Sequence, residues 1–343
     1  MDRRGSGDRD TRSLNGPSSH SISFQLMQIR AFCNHDPPAL VQLWRRLGPL
    51  RARAQTLNIA TLERLILSKP YFDREGLLIA HNNDREYLGF VHAAFGSQSD
   101  GSGLDHEIGV ISTLVVPDGD GSEVAARLLT CAEQYLQSHG SRQIIAGGVS
   151  PHHPFYLGLY GGALLPGIVN SDPQTLEHFS SAGYQPQGER LILQRSLVGF
   201  RPPIDRDLMQ VRRSCHIEIT TPPVDKQWWD ACTLGLLNRE RFYLSIRGHQ
   251  DHTQWIDIWD VEPLSSEWGV HAMGICQWHD NPENGQPIER VFFLGEIMRI
   301  LAAQGISLLE TQIPSDELSQ SQILQRLGFE EADRGIVLIK SLE

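Results

Sequence analysis

The residues best suited by type and spacing to do chemistry lie in one stretch, Ile111–Leu129, with the sequence ISTLVVPDGDGSEVAARLL. A run rich in β-branched residues predicts a strand ending at Pro117, which has no N–H to extend a ladder. A turn carrying Gly119 and Gly121 follows, and a helix opens near Ser122. The first N–H groups of such a helix lack intrahelical partners and lie at the positive end of its dipole. They therefore suit a phosphate or diphosphate. An ordinary tight strand-to-helix connection has the same composition, so both readings stand at this point. Two other phosphate loops are excluded. No Gly-Lys-Ser/Thr follows the turn, and Gly119-Asp120-Gly121 is not continued by the third glycine of a dinucleotide fingerprint.

Elsewhere the chemistry-bearing residues are sparse. His152-His153 invites a metal reading, but no third ligand stands at a matching spacing, so no metal is expected. The five cysteines (Cys33, Cys131, Cys215, Cys232 and Cys276) contain no CxxC pair. An odd count with no secretion signal reads as reduced thiols in a cytoplasmic protein. Net charge is −11, which opposes broad binding to a nucleic acid backbone. No apolar run is long enough to span a bilayer, so no membrane partner is expected.

The elements that must position the motif are legible around it. At 343 residues the chain is long enough for about two domains. Residues 1–21 are polar and rich in Gly, Ser and Arg/Asp pairs, and read as a disordered tail. Strand Phe24–Ile29, helices Pro38–Leu47 and Thr61–Leu67, and a hairpin of Gly76–Ala80 with Tyr87–Phe95 precede the motif strand Glu107–Val116. After the motif helix, which ends near Gly140, come strand Gln143–Gly147, a glycine-rich aromatic loop at Pro154–Asn170, helix Pro173–Ala182 and strand Arg190–Arg195. Phe200–Asp207 has two adjacent prolines and reads as a linker. A second series follows: strand Ile217–Thr220, a helix with Trp228 and Trp229, strands Trp255–Trp259 and His271–Trp278, helix Val291–Gln304, strand Ser307–Gln312, helix Leu318–Leu327 and strand Ile336–Ile339. The order helix–Gly–strand–helix–Gly-aromatic–strand occurs twice, with Gly183-Tyr184 and Gly328-Phe329 in matching places. A repeat this long predicts two similar domains.

Val115-Val116-Pro117, the turn Asp120–Ala125, Leu128-Leu129 and the closing Gly183-Tyr184 resemble the signature of the GNAT-type N-acetyltransferases. The resemblance covers about residues 22–198, and its C-terminal part recurs over Val291–Leu342, so the chain resembles a tandem GNAT protein whose second copy, 199–343, is degenerate. It implies an α/β fold of two GNAT-like domains, each a mixed, mostly antiparallel sheet flanked by helices. It also implies acetyl-CoA as acyl donor and an amine of a small molecule or peptide as acceptor. Leu114, Val115 and Val116 would bracket the thioester arm. Asp120, Gly121, Ser122, Glu123, Val124 and Ala125 would cradle the diphosphate through backbone N–H groups.

The departures from the family pattern point to a competing reading, a catalytically inactive binding or regulatory module of the same fold. Asp120 stands where the family prefers Gln or Arg, and Glu123 where it prefers Gly. With Asp118 they place three carboxylates near a diphosphate. At ~8 Å and an effective dielectric near 20, each such pair costs on the order of 2 kcal/mol before screening. Phe179 holds the place of the family's acidic tyrosine, so Tyr156 or Tyr160 would have to protonate the leaving thiolate. Glu107 is the expected general base, and Tyr184 reads as a packing residue. In the second unit Leu324 takes the tyrosine place, and HDNPENGQPIER is expected to form a hairpin or loop, not a phosphate cradle, before helix Val291.

Overall fold

Alternating and helical apolar patterns here build one long sheet with helices on both faces. The computed structural model describes residues 27–47, 57–117, 121–159, 162–221, 225–246, 252–261, 269–280 and 287–342. The tail expected over 1–21, Asp118, Asp120 and Tyr160 lie outside these residues.

In the first half β1 (Gln28–Ala31), β2 (Leu77–His81), β3 (Tyr87–Ser97) and β4 (Leu104–Val115) form an antiparallel meander, and β5 (Gln143–Ala146) lies parallel to β4. Helix α1 (Pro37–Arg46) covers one face, with Leu40, Leu43 and Trp44 buried. A second helix, α2 (Ile59–Leu62), precedes a π-helical turn at Glu63–Leu67 on the same face. Helix α3 (Gly121–Ser138) covers the other face. Its Val124, Leu128, Ala132 and Leu136 fall at helical spacing and pack on Val91, Ala93, Ile111 and Leu114 of the strands. Helix α4 (Pro173–Ser181) lies beside α3 and is capped by Asp172, whose Oδ1 accepts the Thr175 N–H at 3.1 Å. A short strand, β6 (Ile168–Val169), precedes it, and β7 (Gln185–Ser196) closes the half.

The second half repeats the plan. Strands β8 (Cys215–Thr220), β9 (Arg239–Ile246), β10 (His252–Asp260) and β11 (Ala272–Asp280) form a meander. Helix α7 (Pro287–Ala303), strand β12 (Leu308–Pro314), helix α8 (Leu318–Arg326) and strand β13 (Glu330–Ser341) follow. Two further helices precede α7, namely α5 (Arg206–Ser214) and α6 (Trp228–Leu234). Helix α7 is apolar on more than one face because α5 packs across it while the sheet lies beneath. Leu208 and Val211 of α5 join Phe293, Ile297 and Met298 in one core.

Strand order reveals how the halves join. The sheet reads β1-β2-β3-β4-β5-β13-β7-β12-β11-β10-β9-β8. The last strand of the second half, β13, pairs antiparallel with β5 of the first, through Ile339↔Ile145. The last strand of the first half, β7, pairs antiparallel with β12 of the second, through Thr311↔Leu193. The two exchanged strands pair with each other between these positions. Each half thus completes its sheet with a strand from the other.

Several element boundaries differ from the sequence expectation. The linker stops at Asp205, whose carboxylate accepts the Leu208 N–H at 2.8 Å and opens α5. Strand β9 was hidden by the charges in RERFYLSI. Phe242 and Leu244 face the core, while Arg239 and Arg241 face the other way and bind the fully buried Asp257. The elements flanking the hairpin or loop expected at residues 279–290 are longer than expected. Strand β11 runs to Asp280 and α7 starts at Pro287, which suits a first helical turn because its missing N–H is not needed there. Asn284-Gly285 lies outside the described residues.

Candidate functional site

The site begins where two parallel strands part. Strands β4 and β5 pair from Ile108↔Gln143 to Ile111↔Ala146. The Gly147 N–H then donates to the Ile111 carbonyl at 2.8 Å, and the chain turns away. Just beyond, the register between β3 and β4 shifts. His92 pairs with Thr113 and Ala93 with Ile111, leaving Ser112 as the extra residue of a β-bulge. Ser112 is fully buried, and its Oγ has no hydrogen-bond partner. The parting strands leave a slot of about 20 Å³ lined by Ile111, Thr113, Leu114, Gly167, Thr175 and Phe179. Phe179, at the place expected for a tyrosine, is buried edge-on against Tyr184 at 5.0 Å.

From the slot, α3 begins at Gly121, five residues after Val116 and four after Pro117. A Cβ on Gly121 would meet Val116 Cγ1 at 2.6 Å, so this position needs glycine for close approach. Val116 is buried, and Val124 and Ala125 point into the core beside it. Ser122 and Glu123 are exposed in the first turn. These residues offer the N-terminus of α3 through backbone rather than side-chain groups. A groove of about 290 Å³ runs between α3 and α4, lined by Ser122, Ala126, Glu133, His178 and Lys340. Lys340 comes from the exchanged strand β13. Its Nζ is 2.7 Å from Glu133 Oε2 and donates to the Ala182 carbonyl at 2.8 Å.

The other face of β4 carries a buried aromatic cluster. The loop after β5 brings Phe155 and Tyr156 into the same core as Phe90, Val115 and Trp44. Tyr156 stacks on Trp44 at 5.9 Å, and its Oη lies 3.1 Å from His92 Nδ1. His92 was not singled out from the sequence, where a lone imidazole in the strand YLGFVHAAF is its only signal. Burial pushes its pKa down to about 3, so the ring is neutral. Helix α6 of the second half closes this side. Trp229 Nε1 donates to the Pro151 carbonyl at 2.9 Å, and its ring stacks on Tyr71 at 5.5 Å. Buried Lys69 donates from Nζ to the carbonyls of Cys232 and Thr233 at the end of α6, and burial lowers its pKa to about 8.

The expected site residues are therefore distributed unevenly. Leu114 lines the slot, Val115 backs onto Tyr156, and Gly121 through Ala125 form the first turn of α3 beside Val116. Glu107 is not brought to the slot. It stands exposed at the opposite end of β4, 3.6 Å from Arg142, before the β4–β5 pairing begins. Seven residues of strand separate it from Leu114, roughly 23 Å at ~3.3 Å per residue. His152 and His153 hold no metal geometry. His152 Nδ1 accepts the Ser97 N–H at 3.2 Å, and His153 is buried with its pKa pushed down to about 4. Among the described residues no group of three or more His, Cys, Asp or Glu side chains could hold a metal ion. Among the same residues no helix is long and apolar enough to cross a membrane.

The second half has a corresponding parting of strands, but another segment fills it. Strands β11 and β12 pair only from Ala272↔Leu308 to Gly274↔Glu310. There the first half's loop enters. The Ala163 N–H donates to buried Glu310 Oε1 at 3.0 Å, Trp259 Nε1 donates to the Ala163 carbonyl at 3.1 Å, and Gln312 Nε2 donates to the Leu164 carbonyl at 2.8 Å. A Cβ on Gly162 would lie 2.7 Å from both Glu310 Oε1 and Gln312 Nε2, so the loop fits this place closely.

No family model and no curated protein matches the sequence. Solved structures do. Over 92% of its length the chain is similar to a protein described as a GCN5-related glucosamine N-acetyltransferase region of a fungal multi-domain GH3 β-N-acetylglucosaminidase, with a TM-score of 0.66 and 11% identity, and it spans 38% of that chain. It is similar over 92% of its length, and 98% of the other chain, to a tandem GNAT protein from the clavulanic acid biosynthesis pathway (TM-score 0.59, 13% identity). A GCN5-related N-acetyltransferase from Sphaerobacter thermophilus matches over 92% of this chain and 95% of its own, with a TM-score of 0.57 and 13% identity. The strand order, the parted strands in each half and these likenesses together give the chain the GNAT fold, carried twice in tandem.

Proposed function

We propose that the first half transfers an acyl group from acetyl-CoA to an amine of a small molecule or peptide. The observation that carries this reading is the parting of β4 from β5 at Ile111, with a bulge at Ser112 beside it and the N-terminus of α3 a few residues on. The diphosphate would lie on the backbone N–H groups of Gly121 through Val124, and the thioester arm would enter between Leu114 and the Gly167–Val169 segment. A slot of about 20 Å³ holds roughly one water. Loading therefore requires the Gly167–Val169 segment to move away from β4. In the reaction the amine nitrogen attacks the thioester carbonyl and the C–S bond breaks. The chain supplies orientation, a backbone N–H at the bulge for the oxyanion, and Tyr156 as proton donor to the thiolate. Exposed Glu107 would act as base only through a chain of waters. The fungal protein's printed name makes glucosamine a sensible first acceptor to test.

A thermal-shift titration with acetyl-CoA and CoA tests the first step. Ligand at 100 times its Kd should stabilise the chain by about 2.7 kcal/mol. Amine-dependent release of CoA thiol from glucosamine, polyamine and lysyl-peptide panels tests the second. Binding without thiol release would support the second reading, an inactive binding or regulatory module, which the closed slot and Phe179 favour.

Gly121→Pro should weaken acetyl-CoA binding at least tenfold. It removes a backbone donor at the helix entry and drives ring atoms against Val116. Circular dichroism must first establish that the variant is folded. Glu123→Gly or Asp120→Arg should tighten binding, with a larger gain at low salt, because each removes a negative charge from the turn. Equal affinity in all three chains would mean that the carboxylates point away from the diphosphate.

A further inference from the structure

The linker, α5 and one face of α7 enclose a cleft of about 260 Å³ on the second half, much larger than the slot at the parted strands. Helical spacing builds two of its walls. Val291, Phe292, Gly295 and Arg299 fall within one stripe of α7, and Leu208, Met209 and Arg212 do the same on α5. Pro202-Pro203 forms the third wall, where Pro203 keeps Pro202 out of the helical region and neither ring carries an N–H. Gly295 lets the linker lie close to α7, since a Cβ there would stand 3.9 Å from Pro202 Cβ.

The walls are largely apolar, yet much of this surface is uncovered. Ile204, which lines the cleft from the linker, is 84% exposed, and Met209 is 43% exposed. An apolar ligand that displaced water from such a surface would bind with a gain in free energy. The charges at the cleft have one sign once pairing is counted. Glu296 is matched by Arg299, whose Nε donates to its Oε1 at 2.7 Å. Arg201 and Arg212 also line the cleft, and neither has a hydrogen bond or ion pair among the described residues. The whole chain carries −11, so two unpaired guanidiniums beside exposed apolar side chains run against its general charge. Guanidinium is the side chain whose fork of donors matches a carboxylate.

Size narrows the ligand further. The cleft has the liquid volume of roughly nine waters at ~30 Å³ each, so it fits a body of about ten non-hydrogen atoms. A stable protein interface buries about 800 Å² on each side, which a cleft of this volume does not offer.

We propose that this cleft is a binding site for a small amphipathic carboxylate, a short aliphatic chain or single aromatic ring bearing one acid group. Its apolar body replaces water against Phe292, Leu208, Met209 and Pro203, and Arg201 and Arg212 meet its charge. The second half's own parted strands are closed by the first half's loop, and this cleft gives that half a ligand other than CoA. Its occupation does not depend on acyl transfer by the first half.

The test titrates octanoate into the full chain carrying 13C-methyl-labelled methionine and isoleucine, with octanamide as the uncharged control. The Met209 and Ile204 methyl signals, identified by their loss in Met209→Leu and Ile204→Val, should shift saturably. The expected Kd is on the order of 0.1–1 mM for a ligand of this size. Octanamide should bind at least about fivefold more weakly, because it leaves the guanidiniums without a counter-charge. Reversing both exposed charges in Arg201→Glu/Arg212→Glu should weaken octanoate roughly tenfold or more, with the melting temperature unchanged. Octanoate that leaves Met209 and Ile204 unmoved overturns the proposal, as does equal affinity for the amide. Undiminished octanoate binding by the folded double variant also overturns it. An acidic amphipathic peptide of Leu and Glu that shifts the same methyls at a tenfold lower concentration than octanoate would overturn it too, by assigning the cleft to a protein partner.

Discussion

Expressed separately, residues 22–198 and residues 199–343 are each expected to be unfolded or aggregated, whereas the two fragments expressed together should recover a soluble, cooperatively melting complex. The reason is the strand exchange. In residues 22–198, strand β5 loses its antiparallel partner β13, and β7 loses both neighbours, β12 and β13. Without β7, strand β12 keeps only the short parallel pairing at Leu308–Glu310. Each fragment would present long sheet edges with unpaired backbone groups, which favour aggregation. Leu193 of β7 would also leave the second half's core, and Leu338 of β13 the first half's. Size-exclusion chromatography and thermal melts of the single and paired fragments check this. A second-half fragment that melts cooperatively by itself would mean that β7 is dispensable to it.

The sequence pattern carried the first half's chemistry further than its architecture. Val115-Val116-Pro117, the glycine turn and the paired leucines are local features, so the helix entry at Gly121 could be read directly. Sheet order could not. Strands β7 and β13 have similar patterns, because each is partly buried between neighbours, and nothing local to either encodes which half supplies those neighbours. Helix α5 escaped notice because Leu208 and Val211 are its only buried apolar residues amid four charged ones. His92 escaped for a different reason. Its importance rests on an imidazole meeting a tyrosine 64 residues away in the chain. Placing Glu107 at the start of the motif strand followed from sequence order alone. Strand geometry then put that end of β4 roughly 23 Å from Leu114, at ~3.3 Å per residue.

Titration of the full chain with acetyl-CoA should give one site, and Glu310→Ala should be the most damaging single change in the second half. Both expectations follow from the loop at residues 162–165. It occupies the opening between β11 and β12, where a second thioester arm would have to enter. Glu310 is fully buried and accepts from the Ala163 N–H and from Gln194 Nε2, so it ties β12 to the first half's loop and to exchanged strand β7. Truncation leaves two buried donors without that acceptor and removes a charge-assisted bond. Together these cost about 3 kcal/mol, enough to lower the melting temperature by several degrees. Glu310→Gln should be milder. Its carbonyl oxygen can still accept from Ala163, and Gln194 can turn its amide to face the new NH2 group with oxygen. Differential scanning calorimetry of the two variants separates a lost acceptor from a lost charge, since equal losses would assign the effect to charge. Two binding sites per wild-type chain would show that the loop leaves the opening, and the close fit of Gly162 against Glu310 and Gln312 would then describe only one of two states.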